Sequence, residues 1–177
     1  DFLEKVSEAI RKVDEDKLLK NARLLKHFRK QGFFRRFFGG NKRIFVIGNG
    51  GSASLASHFV NDLVKQCEID AICLSDNVPL LTAFANDDSY ENAFADYLSR
   101  ICRGGDVLVA ISSSGNSPNI IKAVEVAKHK SMIVIALTGF DGGKVKEIIR
   151  EGYGHFCIHI PTEKGEYELV ESVHGAV

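Results

Sequence analysis

Two stretches of this chain share one layout: a short apolar run, a turn of glycines and small polar residues, then a helix-forming segment. The first is Ile44-Phe-Val-Ile-Gly-Asn-Gly-Gly-Ser-Ala53, and the second is Val107-Leu-Val-Ala-Ile-Ser-Ser-Ser-Gly-Asn-Ser-Pro118. Both apolar runs are rich in β-branched residues and read as buried strands. A strand that stops in such a turn and restarts as a helix leaves backbone N–H groups converging on one spot. The helix dipole adds to them, so the spot favours an anion. Ser52 reads as the helix N-cap of the first unit. Ser117 reads as the N-cap of the second, because Pro118 suits the first helical position.

The rest of the chain fits a sheet built from such units. Strands are predicted over 43–47, 70–74, 107–111, 132–137 and 156–160. Helices are predicted over 52–66, 78–85, 90–102, 117–129, 142–150 and from 166 onward. This alternation predicts an α/β fold with a parallel sheet covered on both faces. Ligands of such sheets bind beyond the carboxyl ends of the strands, where both glycine- and serine-rich turns lie. Residues 2 to about 29 carry apolar positions at helical spacing, from Leu3, Val6, Ile10 and Val13 to Leu24, Leu25 and Phe28. One or two amphipathic helices are expected there, outside the βα units. Phe33, Phe34, Phe37 and Phe38 follow and are expected to close the core or a subunit contact. We divide the chain into an N-terminal helical segment over 1–38, serving assembly, and a sheet domain over 39–177.

With 177 residues the chain is long enough for one substantial core. It has 23 Lys plus Arg and 23 Asp plus Glu, so its net charge is zero. A nucleic acid is therefore not expected as the main partner. The basic group Arg29, Lys30, Arg35 and Arg36 reads as a solvated helix face. Cys67, Cys73, Cys102 and Cys157 have no CxxC spacing and read as buried thiols. No apolar run reaches the roughly 20 residues of a membrane span, and the charged N-terminus is unlike a secretory signal. No membrane partner and a cytoplasmic location are expected.

The serine turn carries the most chemistry. Ser112, Ser113, Ser114 and Ser117 add hydroxyls to the backbone donors, and a phosphate accepts many hydrogen bonds. Such a nest needs no Lys or Arg. A turn that merely capped a helix would need only one serine. No Gly-x-Ser-x-Gly elbow marks a nucleophile. The first turn lacks the G-x-G-x-x-G spacing of dinucleotide sites and the Gly-Lys-Ser/Thr of a nucleotide P-loop. His58 and Asp62 lie four apart on the following helix, so they share a face. They read as metal ligands, as a base with its orienting partner, or as an ordinary polar pair. Asp87 can bond sugar hydroxyls or cap the helix from Tyr90. Glu168, Glu171 and His174 share a helix face, as an acid/base set or a solvated one. His27, His129, His155 and His159 read as structural.

Four ordered motifs then carry a resemblance. Gly48-Asn-Gly-Gly-Ser-Ala-x-x-Ala-x-His58, Asn86-Asp87, Ile111-Ser-x-Ser-Gly-Asn-Ser117 and Leu137-Thr-Gly-x-Asp-Gly-Gly143 resemble the sugar isomerase (SIS) superfamily, closest to its phosphoheptose isomerase branch. The resemblance covers about residues 40–174. It implies a flavodoxin-like three-layer α-β-α sandwich with five parallel strands, and a homotetramer with sites at subunit interfaces. It implies that Ser112, Ser113, Ser114 and Ser117 hold the phosphate of a small sugar phosphate. Asn49, Gly50, Gly51, Ser52, Asp87 and Glu171 would surround the sugar. The implied activity is isomerisation of a ketose phosphate to an aldose phosphate, here sedoheptulose 7-phosphate, for lipopolysaccharide or capsule heptose. Some relatives instead bind the replication initiator protein without catalysis. The family's base is a Glu where Asp62 stands, so Asp62 is the expected base, reaching one methylene less far, and His174 the expected acid. The family's further C-terminal His would fall two positions beyond Val177. Zinc is the implied cofactor, with His58, Asp62 and Glu171 as ligands.

Overall fold

The structure is a computed structural model, and it describes residues 1–28, 42–149 and 154–177. The four-phenylalanine group, the basic group at 29–36 and the 38/39 boundary lie outside the described residues. Two helices open the chain, α1 (Phe2–Arg11) and α2 (Glu15–Lys26). Each starts at an aspartate, Asp1 or Asp14, whose carboxylate accepts from a first-turn N–H. Strand and helix then alternate: β1 (Ile44–Ile47), α3 (Gly51–Lys65), β2 (Ala71–Cys73), α4 (Val78–Asp87), α5 (Tyr90–Ile101) and β3 (Val107–Ser112). They continue as α6 (Pro118–His129), β4 (Ile133–Thr138), α7 (Gly143–Ile148), β5 (Phe156–His159) and α8 (Tyr167–Ala176).

The five strands form one parallel sheet in the order β2-β1-β3-β4-β5. Strand order reverses between β1 and β3, the pair that carries the glycine and serine turns. That is the switch point at which such sheets bind ligands. Every residue of β1 and β3 is buried, so both faces are covered. The two-residue strand period sends Phe45, Leu108 and Val134 to one face, where they meet Phe94, Leu98, Ile120 and Val124 of α5 and α6. Val46, Val109 and Ile135 point the other way, onto Ala56 and Leu63 of α3 and onto Leu18, Leu24 and Leu25 of α2. α1 packs Ala9 beside Leu169 and Val173 of α8. The N-terminal helices are thus part of the second layer.

Two local expectations are corrected. Gly50 adopts φ 55, which turns the chain so that α3 starts at Gly51; Ser52 is buried inside the first turn and caps nothing. Cys67 is exposed, because it lies past the end of α3; Cys73 and Cys157 are buried as expected.

Candidate functional site

The turns after β1 and β3 face one another across a cleft of about 280 Å³. Asn49, Gly50, Gly51 and Ser52 line it from one side and Ser112, Ser113, Ser114 and Ser117 from the other, with Tyr167 and Glu171 of α8 closing it. The structure therefore brings together every serine that the sequence singled out.

The serine turn is shaped by its own backbone. Gly115 has φ 63, a left-handed conformation that an L side chain rarely adopts. Its N–H donates to the Ser112 carbonyl at 3.1 Å and lies 3.2 Å from Ser112 Oγ. The turn is braced from behind by the β4–α7 segment. Gly139 N donates to the Ser113 carbonyl, Val145 N to the Gly115 carbonyl, and Lys144 N to Asn116 Oδ1. The fourth sequence motif, Leu137 to Gly143, thus supports the serine turn from the far side. Ser117 occupies the N-cap of α6, but its hydroxyl makes no capping bond. Ser113 Oγ is buried without a hydrogen-bond partner. A hydroxyl in that state costs about 1–3 kcal/mol unless something accepts from or donates to it. A phosphate oxygen in the cleft would do so, with the α6 N-terminus behind it.

Asn49 is held by two residues that sequence reading missed. Its Oδ1 accepts from Tyr90 Oη and from Asn119 Nδ2, both at 2.9 Å, and its Nδ2 donates to Asn119 Oδ1 at 2.9 Å. One Asn49 N–H remains uncommitted. Asn119 is a buried polar residue in the first turn of α6. Its place directly after Ser117-Pro118 was the signal available in the sequence.

Other expected site residues lie elsewhere within one chain. His58 Nε2 and Asp62 Oδ2 are 3.5 Å apart, as the four-residue spacing required. They line a second, apolar cavity of about 270 Å³ between α2, α3, α8 and the sheet, and so does His174. His174 joins Leu169, Val170 and Val173 on the buried stripe of α8, whereas Glu171 sits on its flank. The expected pairing of Asp62 and His174 with the serine cleft is therefore not what one chain shows. Burial lowers the His174 pKa to about 4, and nearby His159 adds to the shift; the Thr138 backbone opposes it. Its ring is neutral near pH 7. Asp87 is exposed at the end of α4 beside Asn86 and does not line the cleft. Nor does it cap α5, whose cap is Ser89.

The expected zinc ligands do not converge. His58 and Asp62 offer two donors, while Glu171 faces Gly51 at the other end of α3. Among the described residues no three His, Cys, Asp or Glu side chains come together as a metal site requires. These donors do not fit a zinc ion within one chain, and no step below is routed through one. Among the described residues no helix is long and apolar enough to cross a membrane.

Comparison with known proteins bears on the family and the fold. A family model of the SIS domain matches residues 1–139. A phosphoheptose isomerase of Colwellia psychrerythraea is 44% identical over 141 residues, covering 77% of this chain and 69% of that protein. One from Aromatoleum aromaticum is 42% identical over 123 residues, covering 67% of this chain and 62% of that protein. The chain thus spans about three-fifths to two-thirds of the length of the curated relatives it matches. Among solved structures, phosphoheptose isomerase GmhA from Neisseria gonorrhoeae superposes with a TM-score of 0.83 at 30% identity, covering 99% of this chain and 87% of that one. The Vibrio vulnificus NanR protein complexed with ManNAc-6P shares the fold, with a TM-score of 0.66 at 18% identity.

Proposed function

Since this chain belongs to the SIS-domain family, we propose that it is an aldose–ketose isomerase of phosphosugars, acting on sedoheptulose 7-phosphate. The observation that carries this reading is the serine cleft: four serines, an unpartnered buried hydroxyl and a helix N-terminus at the switch point of the sheet. The phosphoheptose isomerases among its relatives support the choice of substrate.

In this reading the phosphate sits among Ser112, Ser113, Ser114 and Ser117, neutralised by dipoles instead of cations. The sugar runs across Asn49–Ser52. The free N–H of Asn49 donates to a sugar oxygen, and its orientation is set by Asn119 and Tyr90. Anchoring the distant phosphate fixes the reacting carbons, which is how remote binding energy aids a proton transfer. The proposal extends to a cytoplasmic homotetramer supplying heptose for lipopolysaccharide. Exposed Leu3 and Ile10, seven residues apart on α1, support further assembly.

A second reading, a phosphosugar-binding or replication-initiator-binding protein without catalysis, has one observation in its favour: Asp62 stands outside the serine cleft. Incubation with sedoheptulose 7-phosphate, followed by NMR of the aldose product, separates the two. The isomerase reading expects aldose to accumulate to equilibrium. Ligand binding without product would support the second reading.

A further inference from the structure

Among the described residues, none that line the serine cleft is Lys or Arg. Each neutral donor that reaches a phosphate there carries weight, because a hydrogen bond to a charged oxygen is stronger than one between neutral groups. One such donor lies outside both turns. We propose that Tyr167 of α8 caps the phosphate end of the cleft, donating its phenolic hydroxyl to a phosphate oxygen, and that Phe140 holds its ring in place. The assignment rests on the phosphate reading of the serine cleft given above.

Tyr167 and Glu171 are four residues apart on α8, so they share a face, about 6 Å apart along the helix axis. Both line the cleft, and they mark its two ends. The Glu171 carboxylate lies over Gly51, in the turn after β1, where a Cβ would overlap both oxygens. Tyr167 instead meets Phe140 of the β4–α7 segment. The two rings pack edge to face, with centroids 5.0 Å apart and planes at 82°. The residue before Phe140 is Gly139, whose N–H donates to the Ser113 carbonyl at 2.9 Å. Tyr167 thus belongs to the serine end of the cleft and Glu171 to the glycine end. Tyr167 is 52% exposed, and its hydroxyl makes no hydrogen bond among the described residues. That donor is available to a ligand.

Phe140 is held in an unusual backbone state. Its φ is 50, a left-handed conformation that a bulky residue rarely adopts. The surroundings enforce it. Phe140 N donates to Thr162 Oγ1 at 3.3 Å, and Gly142 N donates to the Gly139 carbonyl at 2.8 Å. A Cβ on Gly139 would overlap the Val170 side chain of α8, so the segment lies tight against that helix. Strain of this kind persists only where neighbours over-determine it, and it concentrates at ligand sites. Here it buries the Phe140 ring and sets where the Tyr167 ring stands relative to the serine turn. Phe140 does not line the cleft, so it is a positioning residue that acts through Tyr167.

The test compares wild type with Tyr167→Phe, Tyr167→Ala, Phe140→Leu and the double variant Tyr167→Ala/Phe140→Leu. The readings are affinity for sedoheptulose 7-phosphate by calorimetry, affinity for inorganic phosphate by phosphorus NMR titration, and kcat and KM for aldose formation. Tyr167→Phe keeps the ring and loses only the hydroxyl. We expect its Kd for both ligands to rise at least about tenfold. KM should rise with it while kcat stays within about twofold, because a phosphate contact is made equally in the ground and transition states. Phe140→Leu should weaken binding when Tyr167 is present and add nothing in the Tyr167→Ala background. If Phe140→Leu fails to fold, Thr162→Val takes its place in the same cycle, since it removes the acceptor of the Phe140 N–H. Wild-type affinity of Tyr167→Phe for both ligands overturns the proposal. A loss seen with the sugar phosphate but not with inorganic phosphate places the hydroxyl on the sugar and overturns the phosphate assignment. Additive losses in the double variant overturn the role of Phe140. A wild-type protein that binds the sugar phosphate but converts none overturns the isomerase reading and leaves the affinity test of Tyr167 standing. A wild-type protein that binds neither ligand overturns both.

Discussion

Replacing Gly115 by alanine is expected to abolish phosphosugar binding and to lower the unfolding free energy by about 2–4 kcal/mol. Two effects add at this position. Gly115 has φ 63, a left-handed conformation that costs an L residue roughly 1–2 kcal/mol. A Cβ there would also overlap the Gly142 carbonyl oxygen, which belongs to backbone and has nowhere to rotate. Relief requires the serine turn and the β4–α7 segment to separate. That breaks the bonds from Val145 N to Gly115 O and from Lys144 N to Asn116 Oδ1. The hydroxyls of Ser112, Ser113, Ser114 and Ser117 then no longer converge. Urea unfolding and calorimetric titration of the same sample check both halves. Wild-type stability in Gly115→Ala would mean that the turn is not braced as described.

A second large effect concerns pH. His174 is buried and its folded pKa is about 4, below the ordinary 6.5. The unfolded chain therefore binds a proton that the folded chain refuses. The stability contributed by the neutral ring is fully present above pH 6.5. It is lost progressively as pH falls toward 4, to a total of about 3 kcal/mol at 1.36 kcal/mol per pH unit. His155 and His159 are also lowered, each chiefly by burial, and add to the same slope. Unfolding free energies measured at pH 7, 5.5 and 4.5 should fall steeply in wild type and much less in His174→Leu. Parallel slopes in the two proteins would contradict a buried, neutral His174.

The strands and both ligand turns were legible because their signals are local. Ile44–Ile47 and Val107–Ser112 are continuous apolar runs ended by glycine or serine. Short length, β-branched content and the flanking turn residues mark such a run as a strand buried on both faces. Helix spacing likewise placed His58 beside Asp62. The arrangement around the ligand was less legible, because it depends on direction around a helix and on partners distant in sequence. His174 and Glu171 are three residues apart on α8, yet one is buried and the other borders the cleft. The Asn49–Asn119 pair spans 70 residues and leaves no trace in hydrophobic period. Ser52 had the right chemistry for a cap, but Gly50 starts the helix ahead of it. The expected zinc ligands depend on direction in the same way: within one chain His58 lines the apolar cavity, whereas Glu171 of α8 lies over Gly51.

The central claim is that the serine cleft receives a phosphomonoester. Calorimetric titration with sedoheptulose 7-phosphate tests it most directly, comparing wild type with Ser113→Ala and Ser117→Ala. Each hydroxyl lacks an internal hydrogen-bond partner or cap, so its removal takes a donor from the ligand alone. We expect each variant to keep its fold and to lose about 1–3 kcal/mol of affinity, roughly five- to 150-fold in Kd. Unchanged affinity in both variants would contradict the claim.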